Sequence, residues 1–394
     1  MNRKKRKTLF EDSLDDVFLR PLKNNGGKLL NAPVQVENWF TICSSSKTME
    51  YTKYFFEMRG NIIACKKEQD RKAIAYMDVL NSFMKKTEGT LIKGVLHYGI
   101  KFIKRRTYEE LFHPDKEVVN HWFELLKRYC ILTKFRCYFE SIKVLGKGNF
   151  AKVFLVKRIS DGKEFAVKVF NKSAIMQDPL EIKCLIYEIE MLRMINHYRV
   201  MRLYEMYEGE NFIYCLVELY KGTDLLNAIV KKGSQPERKA LTIVMQILEG
   251  LEYLHSKSIM HRDLKPENII FKKSNDIDIG IVDLGFATLQ EDYRKLFVRC
   301  GTPGYVAPEI LNDMDYDCKT DVFSCGIIFY MILTGKIPFS GTSYKEIVQK
   351  NMRGKINFNF DDYKIKVSQP SKLTSYGPFT KNAKEKSNGE TDKP

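Results

Sequence analysis

The stretch His261-Arg262-Asp263-Leu264-Lys265-Pro266-Glu267-Asn268, with Asp283-Leu284-Gly285 starting fifteen residues after Asn268, constrains this chain more than any other feature. It sets a carboxylate two residues from a lysine and adds an amide and a second carboxylate. A fold that uses them must bring both segments to one patch. There, proton transfer, charge neutralisation and cation coordination by hard oxygens become available together.

The upstream sequence follows a matching order. Leu145-Gly146-Lys147-Gly148-Asn149-Phe150-Ala151-Lys152-Val153 reads as strand, glycine-rich turn and strand, and small residues there let backbone N–H groups approach phosphate oxygens. Ala151 stands where a third glycine is usual, which predicts a slightly stiffer loop. Asp161-Gly162 signals a hairpin into the strand Phe165-Ala166-Val167-Lys168. Glu188 follows on a helix, with Glu190 as the alternative, and Ala307-Pro308-Glu309 closes the series. An isolated lysine or glutamate of this kind is usually solvated surface; the order and spacing of the whole set is what carries meaning. In that order the motifs resemble a eukaryotic protein kinase. Lys265 and Gly301-Thr302-Pro303-Gly304-Tyr305 resemble the serine/threonine class, and the wording is similar to the calcium/calmodulin-dependent group.

The resemblance implies an α+β bilobal fold with ATP and Mg2+ as cofactors. Asp263 would accept or orient the substrate hydroxyl proton, and Lys265 would neutralise charge on the transferred group. Lys168 would orient the phosphates, with Glu188 as its partner. Asn268 and Asp283 would hold magnesium. Gly146, Lys147, Gly148, Asn149, Phe150 and Ala151 would cover the phosphates, while Leu145, Val153, Ala166 and Ile270 would sandwich the adenine. Backbone groups around Glu218 and Tyr220 would bond its edge, with Val217 behind. Asp224 would serve the ribose or a basic substrate residue, and with Glu267 it favours arginine or lysine three residues before the phosphoacceptor. The competing reading, the weaker of the two, is that both acids simply solvate the lobe.

Local patterning predicts a helical lower lobe. Ser234-Gln235-Pro236-Glu237 reads as a capping box, and Ala240, Ile243, Val244, Ile247, Leu248, Leu251 and Leu254 follow at helical spacing. The apolar run 322–333 is too short to cross a bilayer and predicts a buried helix, whose Asp321 the resemblance places behind the catalytic loop. The segment after Asp283 offers Thr288 and Tyr293 for phosphorylation, but Val298 replaces the usual threonine, leaving Arg262 without a phosphate to bind. Thr302 is expected to be structural.

Residues 1–138 carry 27 Lys and Arg against 16 Asp and Glu, a net +11 of the chain's +16, which suggests an anionic partner. Over 28–132, short aromatic and β-branched runs such as Tyr54-Phe55-Phe56-Glu57-Met58 and Ile62-Ile63-Ala64-Cys65, linked by Arg59-Gly60-Asn61, predict strands. One helix closes the region, capped by Asp115 with Val118, Trp122, Leu125, Leu126 and Tyr129 on one face. Strands of a small sandwich or barrel closed by a tryptophan-bearing helix resemble a pleckstrin-homology domain. That implies either a phosphoinositide membrane surface, met by Lys47, Lys53 and Arg59 with a second cluster at Lys101, Lys104, Arg105 and Arg106, or a domain that packs on the kinase and restrains it.

Residues 1–27 read as a basic, solvated terminus in which Arg3-Lys4-Lys5-Arg6-Lys7 also fits a nuclear-import or membrane-surface patch. Asn2 excludes N-myristoylation, and nine cysteines without a Cys-x-x-Cys pair fit reduced thiols in the cytoplasm. No nucleic-acid motif accompanies the basic charge. The kinase pattern of 139–360 gives way at 361–394 to a polar tail that reads as disordered. This predicts a truncated lobe without room for a calmodulin-binding helix, and a Glu309 buried without its usual arginine. Two functions remain open: an active serine/threonine kinase, or a catalytically weak scaffold or lipid-binding adaptor.

Overall fold

The computed structural model describes residues 20–21, 32–45, 50–104, 107–148, 151–291 and 300–358. The chain divides into two compact units, Met1–Ile182 with Leu203–Leu219, and Lys183–Arg202 with Tyr220–Pro394. The expectations placed on Asn149, Phe150, Tyr293, Val298, Lys47, Arg105, Arg106 and both termini lie outside the described residues.

The first unit begins with strands β1 (Arg20–Pro21), β2 (Val36–Ser45), β3 (Glu50–Arg59), β4 (Ile62–Lys66), β5 (Ala75–Asp78), β6 (Phe83–Ile92), β7 (Val95–Lys104) and β8 (Thr107–His113), closed by helix α1 (Lys116–Leu126). Neighbours run antiparallel in the order β1-β5-β4-β3-β2-β8-β7-β6. The β3–β4 turn falls at Arg59-Gly60-Asn61, with Gly60 at φ +65, a conformation glycine adopts without penalty. Asp115 caps α1 by accepting the Glu117 N–H at 2.8 Å. The buried stripe of α1 is Val119, Trp122 and Leu126, with Val118, Leu125 and Tyr129 half-buried beside it. Trp122 is fully buried, 4.9 Å from the Phe40 ring.

The unit continues through β9 (Ile131–Leu132), β10 (Phe139–Lys147), β11 (Ala151–Arg158), β12 (Glu164–Asn171), α2 (Lys172–Ile175), the start of α3 (Pro179–Met194), β13 (Leu203–Glu208) and β14 (Phe212–Val217). The short β9 joins the two halves. Ile131 pairs with Phe83 on one side and Met206 on the other, and Leu132 pairs with Tyr207, giving one fourteen-stranded sheet. The cores are also continuous. Phe135 stacks on Phe139 at 5.0 Å and on Tyr214 at 4.3 Å, within a cluster that runs from Phe40 and Trp122 to Val167 and Leu216. At its edge Lys127 reaches Glu205 at 3.2 Å, and the Tyr207 hydroxyl donates to the same carboxylate.

The second unit takes most of α3, then α4 (Leu225–Lys232), α5 (Glu237–Ser256), β15 (Ile259–Met260), β16 (Ile269–Phe271), β17 (Ile279–Ile281), β18 (Thr288–Leu289), α6 (Pro308–Leu311), α7 (Lys319–Thr334) and α8 (Tyr344–Arg353). α7 is buried almost throughout and packs on α5, whose inner face is Ala240, Ile243, Ile247, Leu251 and Leu254. Among the described residues, no helix is long and apolar enough to cross a membrane.

Two local expectations are corrected. Ser234 does not cap α5: the helix starts after Pro236, without a side-chain cap, because the Gln235 N–H is drawn to the Ile332 carbonyl of α7 at 2.8 Å. The reciprocal capping arrangement is instead found at α8. There Ser343 accepts the Glu346 N–H and Glu346 accepts the Thr342 N–H. Glu309 is half-buried rather than buried, so water reaches it and the several kcal/mol of an isolated buried charge do not apply.

Candidate active site

In the first unit, antiparallel pairing sets the glycine-rich turn and Lys168 side by side. Gly146 lies opposite Val153, Val153 opposite Lys168, and Lys168 opposite Cys215 on β14. The Gly148 N–H donates to the Ala151 carbonyl at 2.8 Å, closing the turn. A methyl group on Gly146 would meet nothing within 4 Å, so the backbone is open on that side, as a phosphate cradle requires. Leu145 is exposed, Val153 half-buried and Ala166 buried opposite Val217; the Lys168 ammonium stands 5.3 Å from the Phe170 ring. Glu218 follows β14 directly, half-buried.

The second unit holds the remaining candidates. Asp263 Oδ2 meets the Lys265 ammonium at 2.9 Å, and Thr302 donates to Asp263 Oδ1 at 2.6 Å while accepting from Lys265 at 2.8 Å. The three side chains close a ring. Thr302 therefore belongs to the site itself, beyond the structural part expected of it. Asn268 donates to the Asp263 backbone carbonyl at 2.8 Å, which commits its nitrogen and leaves the amide oxygen as the end for a cation. The β16–β17 ribbon brings the second acid alongside: Ile269 pairs with Ile281, and the Val282 N–H, next to Asp283, donates to the Asn268 carbonyl at 2.9 Å.

Backbone strain marks the same place. Arg262 and Asp283 both sit at φ +64, a region that L residues avoid and that costs about 1–3 kcal/mol each. Asp321 holds the first of them. Its two oxygens accept the N–H groups of His261 and Arg262, each at 2.8 Å, and His255 Nε2 lies 2.9 Å away. Burial alone would raise the Asp321 carboxyl; these hydrogen bonds and the His261 ring outweigh it and keep its pKa below the ordinary value. The Arg262 guanidinium donates to the Phe286 carbonyl at 2.8 Å and the Tyr316 hydroxyl at 3.0 Å.

Glu188 is buried on α3, whereas Glu190 is half-buried. A methyl group on Gly285 would stand 3.4 Å from Asp283 Oδ1 and 3.9 Å from Glu188 Oε2, so Gly285 lies between the two acids. Next to it on the helix, the Tyr187 hydroxyl accepts the Leu289 N–H at 3.2 Å and lies 3.3 Å from Thr288 Oγ1. Thr288 is 1% exposed and paired with Met260, so it is not presented for phosphorylation. Asp224 acts as the α4 cap, accepting from the Asn227 N–H at 2.8 Å and side-chain amide at 2.5 Å. Tyr220 packs its ring over Gly280, and Ile270 is half-buried on β16. Glu267 Oε2 is buried without a hydrogen-bond partner among the described residues.

The donor chemistry fits magnesium. Among the described residues no group of three or more His, Cys, Asp or Glu could hold a metal. An Asn oxygen and one carboxylate are the sparse protein share that magnesium takes when phosphates and water supply the rest.

The protein kinase domain model matches residues 139–385, more than half of the chain, and the chain belongs to the protein kinase family. Calcium-dependent protein kinase 4 of Plasmodium berghei is 37% identical over 236 residues, which are 59% of this chain and 44% of that protein. The SNF1-related protein kinase catalytic subunit alpha KIN12 of Arabidopsis thaliana is 39% identical over 212 residues, 54% of this chain and 42% of that one. Myosin light chain kinase A of Dictyostelium discoideum is 36% identical over 228 residues, 58% and 77% of the two chains. The matched segment thus spans less than half the length of the first two relatives, and it resembles serine/threonine kinases of the calcium/calmodulin-dependent-like group.

Proposed function

We propose that this chain is an ATP-dependent serine/threonine kinase that transfers the γ-phosphate to a protein hydroxyl. The observation that carries the reading is the closed Asp263–Lys265–Thr302 ring, with Asn268 bonded to Asp263 and Asp321 holding the loop from behind. Asp263 would take or orient the substrate proton through its carboxylate. Lys265, within ion-pair distance, would then swing its charge onto the transferred group. Asn268 and Asp283 would hold magnesium, which when bound supplies positive charge across the phosphates. Lys168 would orient the nucleotide phosphates beneath the glycine-rich turn, with Glu188 fixing α3. Because both Asp224 oxygens are engaged by Asn227, its assignment to ribose or substrate has less support than the other roles.

A basic residue upstream of the phosphoacceptor rests on Glu267, a half-buried acid within the Asp263–Asn268 loop that would attract a guanidinium. The test is magnesium-dependent transfer to a serine peptide with arginine three residues upstream, against the same peptide with alanine there. Equal kcat/KM for both would refute the preference.

For the N-terminal region, a pleckstrin-homology-like domain that packs on the small lobe is better supported than one that grips phosphoinositides. Arg59 is engaged by Glu57 at 3.0 Å and by the Ala32 carbonyl at 2.7 Å. Lys101 pairs with Glu110 at 3.2 Å, and Lys104 is buried against the Asp78 carbonyl at 2.6 Å. Three of the cationic groups assigned to lipid are thus committed within the domain. The shared strand β9 and the Phe135 stack make the domain an extension of the nucleotide-binding sheet.

A further inference from the structure

Among the described residues, four hydroxyls have a lysine three positions upstream, the spacing that the kinase reading favours in a substrate: Thr107, Ser160, Ser234 and Thr242. Three of them are poorly placed to enter a cleft as an extended segment. Lys104, upstream of Thr107, is buried against the Asp78 carbonyl. Lys231 and Lys239, upstream of Ser234 and Thr242, lie in helices α4 and α5, and Thr242 itself donates to the Arg238 carbonyl at 2.9 Å.

Ser160 is placed differently. Lys157 and Arg158 are the last two residues of β11 and so are already extended, and Ile159 and Ser160 form the exposed tip of the turn into β12. Such tips give way locally at little cost to the fold. The bonds that close this one are few. The Gly162 N–H donates to the Arg158 carbonyl at 2.8 Å, and the Arg158 guanidinium grips the Asp161 carboxylate at 2.9 and 2.5 Å. Neither of these involves Ser160. The Lys157 side chain lies along the same turn, where a methyl group on Gly162 would stand 3.2 Å from its Cε. With Lys163, three cations stand within three positions of the Ser160 hydroxyl.

The turn also abuts the join between the N-terminal domain and the nucleotide-binding strands. The Ile159 N–H donates to the Tyr138 carbonyl at 2.9 Å, and Arg158 lies within electrostatic reach of Glu205, the acid that meets Lys127 at the end of α1. A phosphate on Ser160 would bring about two negative charges beside Arg158 and Lys163, and would compete with Asp161 for the guanidinium.

We propose that Ser160 is a modification site for the chain's own activity, selected through Lys157. The inference rests on the kinase reading and on its basic preference. In the step, a bond forms between Ser160 Oγ and the γ-phosphorus of ATP. The bond from that phosphorus to the β–γ bridging oxygen breaks, ADP leaves with the oxygen, and the hydroxyl proton passes to Asp263 of the acting copy.

The test uses the full chain, stripped of phosphate and then incubated with magnesium and ATP, with phosphate on Ser160 quantified by mass spectrometry. A serine peptide with arginine three residues upstream is assayed alongside. Ser160 should be modified in wild type, bare in Asp263→Asn, and modified about ten-fold more slowly in Lys157→Ala, whose rate on the peptide is unchanged. Lys157→Arg should restore the rate. Lys157 is exposed, so both variants should fold. A phosphorylated peptide with Ser160 left bare, or phosphate found at Thr107, Ser234 or Thr242 in its place, would overturn the proposal. An unchanged rate at Ser160 in Lys157→Ala would overturn the part given to that lysine. Failure of the folded wild-type chain on peptide and Ser160 alike would instead overturn the kinase reading, and this inference with it.

Discussion

Asp321 holds Arg262 by its backbone: the carboxylate of a residue at the start of α7 accepts the N–H of one 59 positions earlier, at 2.8 Å, and pins it at φ +64. The bond explains how a strained, non-glycine conformation persists beside the Asp263 carboxylate. Without it the loop has no reason to stay left-handed.

Asp321→Asn is expected to lower both stability and turnover, since of the two carboxylate oxygens that accept the His261 and Arg262 N–H groups one becomes an NH2 that cannot accept and the other a neutral carbonyl, at a loss of about 2–3 kcal/mol. The pH dependence has a definite sign. The folded carboxyl ionises below its ordinary value of 3.8, so its contribution is complete above that pH and drains as pH falls through the lower folded value. Denaturant unfolding at pH 7 and at a series of pH values below 3.8 should show the variant less stable at the first and converging on wild type as acid carries the pH toward the lower folded value. A constant gap between them at all pH values would contradict this.

The joined sheet predicts that the N-terminal domain and the nucleotide-binding strands melt together. Phe135→Ala should destabilise the first unit by about 3 kcal/mol, as loss of a buried phenyl ring does elsewhere. In calorimetry it should lower a single transition that covers both halves. Two transitions, only one of them shifted, would show that the domain is merely attached.

Arg262 already donates to Phe286 and Tyr316, so it does not wait for a phosphate. Phosphatase-treated protein should keep most of its kcat toward peptide. Loss of activity restored by phosphate on Tyr293 would contradict this; Thr288, buried in its strand, is not a site for that control.

With Arg59, Lys101 and Lys104 committed internally, phosphoinositide vesicles should bind no more tightly than phosphatidylserine vesicles of equal charge. Sedimentation of the chain with the two compositions checks this. A clear phosphoinositide preference would restore the lipid reading.

Much of the site was legible because its residues are named by tight local spacing: Asp263, Lys265 and Asn268 share one loop, and Asp283 follows on the next strand's exit. The buried α7 and the hairpins at Gly60 and Gly162 were legible for the same reason, since apolar runs and turn residues act locally. What escaped depends on distant partners. Ile131-Leu132 is too short to announce a strand, yet it pairs on both sides. Ser234 has the right residue type for a cap and loses the part to a bond from Gln235 to α7. Asn351 sits among polar residues of α8, and nothing in that segment marks it as buried. Thr302 could be placed in the substrate-facing loop, but its bond to Asp263 spans 39 positions.

The most direct measurement is transfer of the ATP γ-phosphate to a serine peptide by wild type and by Asp263→Asn, with ATP binding followed in parallel. The variant keeps the size of the side chain but cannot take a proton, so kcat should fall by about 10²–10⁴-fold while ATP still binds. Wild-type transfer that survives in Asp263→Asn would contradict the account.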